Sequence, residues 1–116
     1  RAATAAMGGR SVIDEGPGGL EAIFYLPRPS WCDDTVGRAP KKIPKYGMGP
    51  IRCWKKPDLD NLEKSTKDAL KGIVWRDDAQ VVAYGPRHGK WYHEAGGRAR
   101  VEVAIWTTGL VEEEFE

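Results

Sequence analysis

Residues 56–82 read KPDLDNLEKSTKDALKGIVWRDDAQVV, a helix-forming run between two acidic clusters. Lys56 and Pro57 block any helix before Asp58. The good helix formers that follow predict a helix from about Leu62 to Lys71, which Gly72 ends. Residues at helical spacing supply its buried face: Leu62, Thr66, Ala69, Leu70 and Ile73.

The two aspartates that precede this helix, Asp58 and Asp60, exceed what a helix start requires, because one Asp or Asn suffices as a cap. In an extended segment, residues i and i+2 point to the same side, so the two carboxylates are expected to lie together, about 7 Å apart at the backbone. Such carboxylates repel unless a cation lies between them, and Mg²⁺ prefers oxygen ligands. A helix cap combined with turn chemistry is the alternative interpretation.

The second acidic cluster, Asp77-Asp78, lies at the start of the next predicted strand. Because side chains alternate along a strand, only one of this pair easily faces the same site. A helix packed between the clusters would bring both ends together, which predicts a metal-ion site formed by Asp58, Asp60 and Asp78, with Lys64 beside it. Such a site activates water and neutralises charge on a phosphate under attack.

Lys64 supports this hypothesis through its position on the predicted helix. Lysines near a helix C-terminus complement the helix dipole, which explains Lys71 and partly Lys67. Lys64 falls in the first turn of the predicted helix, where the dipole disfavours a cation. It lies one turn from Asp60, close enough to meet the same phosphate or leaving oxygen.

The rest of the chain predicts strands around this helix. Residues 19–27, GLEAIFYLP, indicate a buried strand, and residues 73–109 indicate strands joined by a hairpin whose turn is Glu94–Gly97. Residues 1–7 are typical of the end of a helix that Gly8-Gly9 stops. We therefore predict one α+β domain over residues 1–116, a small mixed β-sheet with helices packed on one face.

Composition limits the classes of protein to consider. The chain has 116 residues, 41% of them hydrophobic, which suits one domain with a modest core. Its apolar runs have strand length, so neither a membrane span nor a secretory signal is predicted, and we expect a cytoplasmic protein. Two cysteines, Cys32 and Cys53, indicate reduced thiols. A zinc site that adds His88 and His93 is disfavoured because no pair has the close spacing of a zinc module.

Charge is distributed unevenly. The net charge is +1, but four of the 17 acidic residues belong to an acidic tail at 110–116, so the rest of the chain carries 18 basic against 13 acidic residues, about +5. Residues 28–56 form a long connection rich in proline and basic residues, interleaved with Tyr46 and Trp54. Its composition is compatible with a polyanionic partner such as nucleic acid or with an ordinary surface loop.

The opening stretch also resembles the core motif of the RusA-type Holliday-junction resolvases. Their pattern is Asp-x-Asp-Asn-x-x-Lys, then Asp-Ala-Leu, a glycine, and Asp-Asp-x-Gln. The matching positions are Asp58, Asp60, Asn61, Lys64, Asp68, Ala69, Leu70, Gly72, Asp77, Asp78 and Gln80. So many fixed positions make the resemblance specific, although it covers directly only about a quarter of the chain.

The resemblance implies a homodimeric, Mg²⁺-dependent endonuclease that nicks four-way DNA junctions in recombination and repair, with Mn²⁺ as a substitute ion, in a bacterial or phage-infected cell. It places the metal on Asp58, Asp60 and Asp78 and makes Lys64 an essential catalytic helper. It makes Asp77 less critical. Asp68, four residues after Lys64, is expected to form a supporting ion pair with it.

Two features depart from the family pattern. Family members usually begin with a strand bearing a proline- and asparagine-rich segment, which has no counterpart here, so an N-terminal edge strand is missing if Arg1 is the true start. The connection at 28–56 is longer than compact members would need.

Other functions remain open on the sequence. A non-catalytic nucleic-acid-binding module would use the basic and aromatic residues and not the carboxylates. A phosphatase of the haloacid-dehalogenase type, or a nucleotide-sugar transferase, also carries Asp-x-Asp. Phosphatases of that type place it directly after an apolar strand, whereas Lys55-Lys56-Pro57 precedes it here, and both classes usually need a longer chain.

Overall fold

Strand β1, Gly18–Leu26, lies at the centre of a five-stranded mixed sheet in a computed structural model that describes residues 13–111. One edge of β1 pairs antiparallel with β7, Arg100–Thr107, from Gly18 to Tyr25. The other edge pairs in parallel with β5, Val81–Tyr84, and then with β6, Gly89–Tyr92. A strand paired on both edges and covered on both faces is expected to be apolar throughout, as residues 18–26 nearly are.

The remaining elements extend or cover this sheet. In the long connection, β2 (Thr35–Val36) pairs with β3 (Ile43–Pro44), and β4 (Ile51–Arg52) extends the main sheet by pairing antiparallel with β6. Helix α1 is Leu59–Leu70, and 3₁₀ turns occupy Ser30–Asp33 and Asp78–Gln80. The predicted α+β class with a mixed sheet is therefore confirmed, and α1 is the α-helix of residues 13–111.

The core forms where α1 packs against β1. Leu20, Ala22 and Phe24 alternate along one face of β1 and are buried with Val74 and Trp75, which follow the helix. Helix residues pack against this group from above: Leu59, Leu62 and Leu70. Burial of these side chains, at about 25 cal/mol per Å² of apolar surface, holds the helix to the sheet.

Two sequence predictions about this packing need correction. Ala69 is exposed and Thr66 only half-buried, because these residues border an open apolar cleft that Val101 and Val103 also line. Those two valines share the face of Ala22 and Phe24 by strand register, as alternation predicts, yet they are 53% and 46% exposed.

The predicted hairpin between the last strands is wrong. The turn forms as expected, since the Gly97 N–H donates to the Glu94 carbonyl at 2.9 Å and Gly96 has a φ of +79°. The strands on either side, β6 and β7, do not pair with each other, because β1 lies between them. Local turn signals specify a reversal of the chain but not which strand lies next to it.

The connection at 28–56 is organised around a buried guanidinium. The Arg28 side chain is 4% exposed. It pairs with Asp33 at 3.0 Å and donates to the carbonyls of His93 at 2.9 Å and Gly49 at 3.0 Å, with longer bonds to Cys32 and Gly47. One side chain thereby joins the start of the connection, its far end, and the segment after β6.

Two elements predicted from the sequence, the helix end at 1–7 and most of the acidic tail at 110–116, lie outside the described residues. Between residues 13 and 111, no helix is long and apolar enough to cross a membrane.

Substitution Arg28→Ala is expected to lower the free energy of unfolding by about 3 kcal/mol, because it removes several charge-assisted hydrogen bonds from a buried site. Chemical denaturation with urea measures this change. Arg38→Ala, which removes an exposed arginine of the same connection, is the matched control and should change stability by less than about 0.5 kcal/mol. Equal effects of the two substitutions would show that Arg28 does not organise the connection.

Candidate active site

Helix α1 begins three residues earlier than the sequence predicts. Asp58 is the N-cap residue, with φ −68° and ψ 142°, and its carbonyl accepts hydrogen bonds from the N–H groups of Asn61 and Leu62. Asp60 therefore lies in the first helical turn and not in an extended segment. Because helical residues rotate by about 100° each, the expectation that Asp58 and Asp60 point to the same side by strand geometry is wrong.

The earlier helix start also changes the position of Lys64 within the helix. This residue lies in the second turn, where the dipole's penalty for a cation has largely faded. It remains four residues after Asp60, so the two side chains share one face of α1. The expected ion pair between Lys64 and Asp68 does not occur among the ion pairs of the described residues.

The two residues of the Asp77-Asp78 cluster differ because Asp77 caps a turn, and not because side chains alternate along a strand. Asp77 is the N-cap of the 3₁₀ turn Asp78–Gln80, and its carboxylate accepts from the Ala79 N–H at 3.1 Å. The Gln80 amide oxygen accepts from the N–H of Asp77 at 3.0 Å, and its NH₂ group donates to the carbonyls of Ile13 and Gly16. Asp77 is thus occupied in the turn, and Asp78 is the half-buried residue of the pair.

A cleft of about 520 Å³ lies between α1 and this 3₁₀ turn. Its lining includes Asp60, Lys64 and Asp78, three of the four residues that the sequence singles out. The fourth, Asp58, is exposed and does not line the cleft. The other lining residues come from the same face of the helix: Asn61, Glu63 and Lys67.

The donors of this cleft fit a hard divalent cation in their chemistry. Asp60 and Asp78 offer carboxylate oxygens, which Mg²⁺ prefers. One oxygen of Asp78, Oδ1, is buried and has no hydrogen-bond partner, although an unsatisfied buried acceptor is costly. A cation is one group that would satisfy it. Within residues 13–111, however, no three His, Cys, Asp or Glu side chains are arranged closely enough to hold a metal ion.

The two cysteines do not line this cleft. Cys32 and Cys53 are free thiols buried with Tyr92. Burial raises the pKa of Cys32, and a hydrogen bond with Cys53 is the main cause that raises the pKa of Tyr92 to about 12. A raised thiol pKa disfavours the thiolate that zinc requires.

Sequence reasoning missed a buried histidine behind the cleft. His88 Nδ1 accepts a hydrogen bond from the Ala22 N–H of β1 at 2.9 Å, and its Nε2 lies 2.5 Å from Glu63 Oε2. Because Nδ1 accepts, the proton belongs on Nε2, which donates to the Glu63 carboxylate. The His88 ring also stacks on Tyr84 at 4.0 Å, and Tyr84 accepts a hydrogen bond from Lys67.

This network holds two cleft residues, Glu63 and Lys67, against the sheet. The only local signal for it is their i, i+4 spacing on α1. No sequence pattern links them to His88, which lies 25 residues beyond Glu63.

The family model of endodeoxyribonuclease RusA matches residues 1–105, which include every residue of the cleft. The chain belongs to the RusA endodeoxyribonuclease family.

One curated relative places this RusA-family chain in context. It is 38% identical over 93 residues to a Bacillus subtilis (strain 168) protein with the description "Uncharacterized protein YqaN". The alignment covers 80% of this chain and 59% of the relative, so the chain spans less than two thirds of that protein's length. No solved structure matches the chain.

His88→Leu is expected to lower the free energy of unfolding by about 2 kcal/mol, because it leaves the buried Ala22 N–H without an acceptor and Glu63 without its donor. Thermal or urea unfolding measures the loss. His93→Leu serves as a control, since the His93 imidazole bonds only the carbonyl of its neighbour Glu94 among the described residues and its loss should cost about 1 kcal/mol or less. A smaller loss for His88→Leu than for His93→Leu would contradict the network.

Proposed function

We propose that this protein is a Mg²⁺-dependent endodeoxyribonuclease that resolves four-way DNA junctions by paired nicks. The observation that carries the proposal is the convergence of Asp60, Lys64 and Asp78 on one cleft in a chain of the RusA family. These residues come from α1 and from the 3₁₀ turn Asp78–Gln80, two segments that the fold brings to one cleft.

In the proposed reaction, a water oxygen attacks phosphorus in line and the bond from phosphorus to the 3′ oxygen breaks. The products are a 5′-phosphate and a 3′-hydroxyl, which a ligase can rejoin. Bound Mg²⁺, or Mn²⁺ in its place, would supply charge neutralisation for the phosphate and lower the pKa of water.

The residues of this chain would act around that ion. Asp60 and Asp78 would hold it, and Asp58, the helix N-cap residue, would be the third carboxylate of the set. Lys64 would place its ammonium group on the phosphate or the leaving oxygen, where its charge counts most as the transition state forms. Lys67, anchored on Tyr84, adds a second cation to the same wall.

Junction DNA is the proposed substrate, and a homodimer is the proposed assembly. Two symmetric cuts in opposite strands require two active sites related by a two-fold axis, which a dimer of this chain would provide. Such an enzyme would act in DNA recombination and repair in the cytoplasm of a bacterial or phage-infected cell. The main alternative is a nucleic-acid-binding module without catalysis, which the exposed basic connection at 28–56 would also suit.

Asp60→Asn, Asp78→Asn and Lys64→Ala are each expected to reduce junction cleavage at least 100-fold, because each removes a charge placed for the transition state. Binding of the same junction should weaken by no more than a few-fold. Single-turnover cleavage of a labelled junction and a gel-shift titration measure the two quantities.

Asp34→Asn is the matched control for these variants, since Asp34 is an exposed aspartate of the 28–56 connection. Unchanged cleavage by Asp60→Asn would overturn the assignment of this cleft as the active site. Junction binding without cleavage by the unchanged protein would favour the binding module. Asp58→Asn tests whether the N-cap residue belongs to the metal set.

Chelation of divalent ions is expected to abolish cleavage, and added Mg²⁺ or Mn²⁺ should restore it. The assay compares four-way, flap and plain duplex DNA across a salt series, because phosphate contacts make affinity fall steeply with salt. Equal cutting of plain duplex would contradict junction selectivity, and cutting in the presence of a chelator would contradict the metal site.

A further inference from the structure

An exposed tryptophan stands beside the candidate active site without a role in the fold. Trp54 is 68% exposed, although most tryptophans bury much of their surface. It lies between β4 and α1, four residues before the N-cap Asp58. An exposed large aromatic side chain at such a position indicates a contact with something outside the chain.

Trp54 is held in place from one side by other aromatic rings. Its centroid lies 5.7 Å from Trp31, at an interplanar angle of 50°. Trp31 in turn makes edge-to-face contacts with Tyr46 at 5.5 Å and with Tyr92 at 5.6 Å, and Tyr92 is buried against the sheet. We call Trp31, Tyr46 and Trp54 the aromatic platform. Because Trp31 and Tyr92 already fill the interior, Trp54 forms the outer end of the stack.

Positive charge surrounds the aromatic platform. The ammonium groups of Lys45 and Lys55 lie 5.3 Å and 5.8 Å from the rings of Tyr46 and Trp54. Other basic residues of the same connection are exposed: Lys41, Lys42, Arg52 and Lys56. None of these six side chains takes part in an ion pair within residues 13–111. Lys45 and Lys55 beside an exposed aromatic face suit a partner that combines a flat ring with a phosphate.

The platform is tied to the start of α1 through the backbone. Lys90 of β6 donates from its ammonium group to the carbonyls of Lys55 at 2.5 Å and Pro57 at 2.8 Å. These bonds fix the segment between Trp54 and Asp58 on the sheet. Four residues span at most about 14 Å, so the ring lies within two or three nucleotides of the helix N-terminus.

We propose that Trp54 is a stacking site for an unpaired base of the DNA substrate, with Lys55 binding the adjoining phosphate. The inference rests on the proposed function and adds to it a site that recognises opened base pairs. Stacking on an aromatic ring tolerates any base, because every base has a π face. A branch point, where base pairs open most easily, would then be held at the cleft by its unpaired base, whereas continuous duplex would offer no base to stack.

The test uses the full chain with Ca²⁺ in place of Mg²⁺, so that binding is measured without cutting. The probes are a four-way junction with 2-aminopurine at the branch point and a duplex of the same sequence. Trp54→Leu, which keeps apolar bulk and removes the ring, should weaken junction binding about 10-fold and leave duplex binding within 2-fold. It should also abolish the quenching of 2-aminopurine fluorescence that the unchanged protein produces, and Trp54→Phe should retain most of both effects.

Met48→Ala is the matched control, because Met48 is 60% exposed in the same connection but is not part of the aromatic platform. It should change neither affinity. Equal losses on junction and duplex, or no loss on either, would overturn the stacking site. A change of oligomeric state for Trp54→Leu in size-exclusion chromatography would also overturn it, since Trp54 would then bind a second copy of the chain.

A cleavage assay in Mg²⁺ separates this inference from the proposed function. Cleavage by the unchanged protein, with no junction-specific loss in Trp54→Leu, would refute the stacking site alone. Junction-specific loss of binding in Trp54→Leu, with no cleavage by the unchanged protein, would refute the nuclease alone.

Discussion

The hydrogen bonding of β1 on both edges is the constraint on which the rest of this structure depends. One edge is filled by β7 and the other by β5 and β6 in succession. A backbone group of β1 that no neighbouring strand reaches therefore needs another hydrogen-bond partner. At Ala22 the N–H finds that partner in the His88 imidazole, in the gap between β5 and β6. Where the parallel edge is interrupted, the backbone of β1 thus anchors His88, which supports the cleft.

From this anchor the candidate site is built outward in layers. His88 holds Glu63, and Tyr84 holds Lys67, so two residues of α1 are fixed against the sheet by polar contacts, while leucines of the same helix are held by the core. The 3₁₀ turn that carries Asp78 is fixed independently, through the bonds of Gln80 to Ile13 and Gly16. Rigid support from both sides is what a site needs to keep charged groups in place for a reaction.

The long basic connection is a structured part of the domain and not an idle loop. Arg28 closes it at its base, β4 adds it to the sheet, and Lys90 fixes its last residues at the start of α1. Charge is thereby divided by position. Arg28 is buried and stabilises the fold, whereas the lysines near Trp54 are exposed and available to bind a partner.

The sequence by itself determined the family motif, the mixed α+β class, the central apolar strand, the helix with Gly72 at its end, and the placement of Asp60 and Lys64 on one face of that helix. These follow from local rules, since helical spacing and glycine's access to positive φ act over a few residues. Only the tertiary structure decided that Asp58 would be a cap outside the cleft lining, that β1 would separate β6 from β7, and that His88 would meet Glu63. Each of these depends on contacts between residues far apart in the chain, whose energy comes from burial and from satisfying backbone groups, and neither leaves a periodic signal in the sequence.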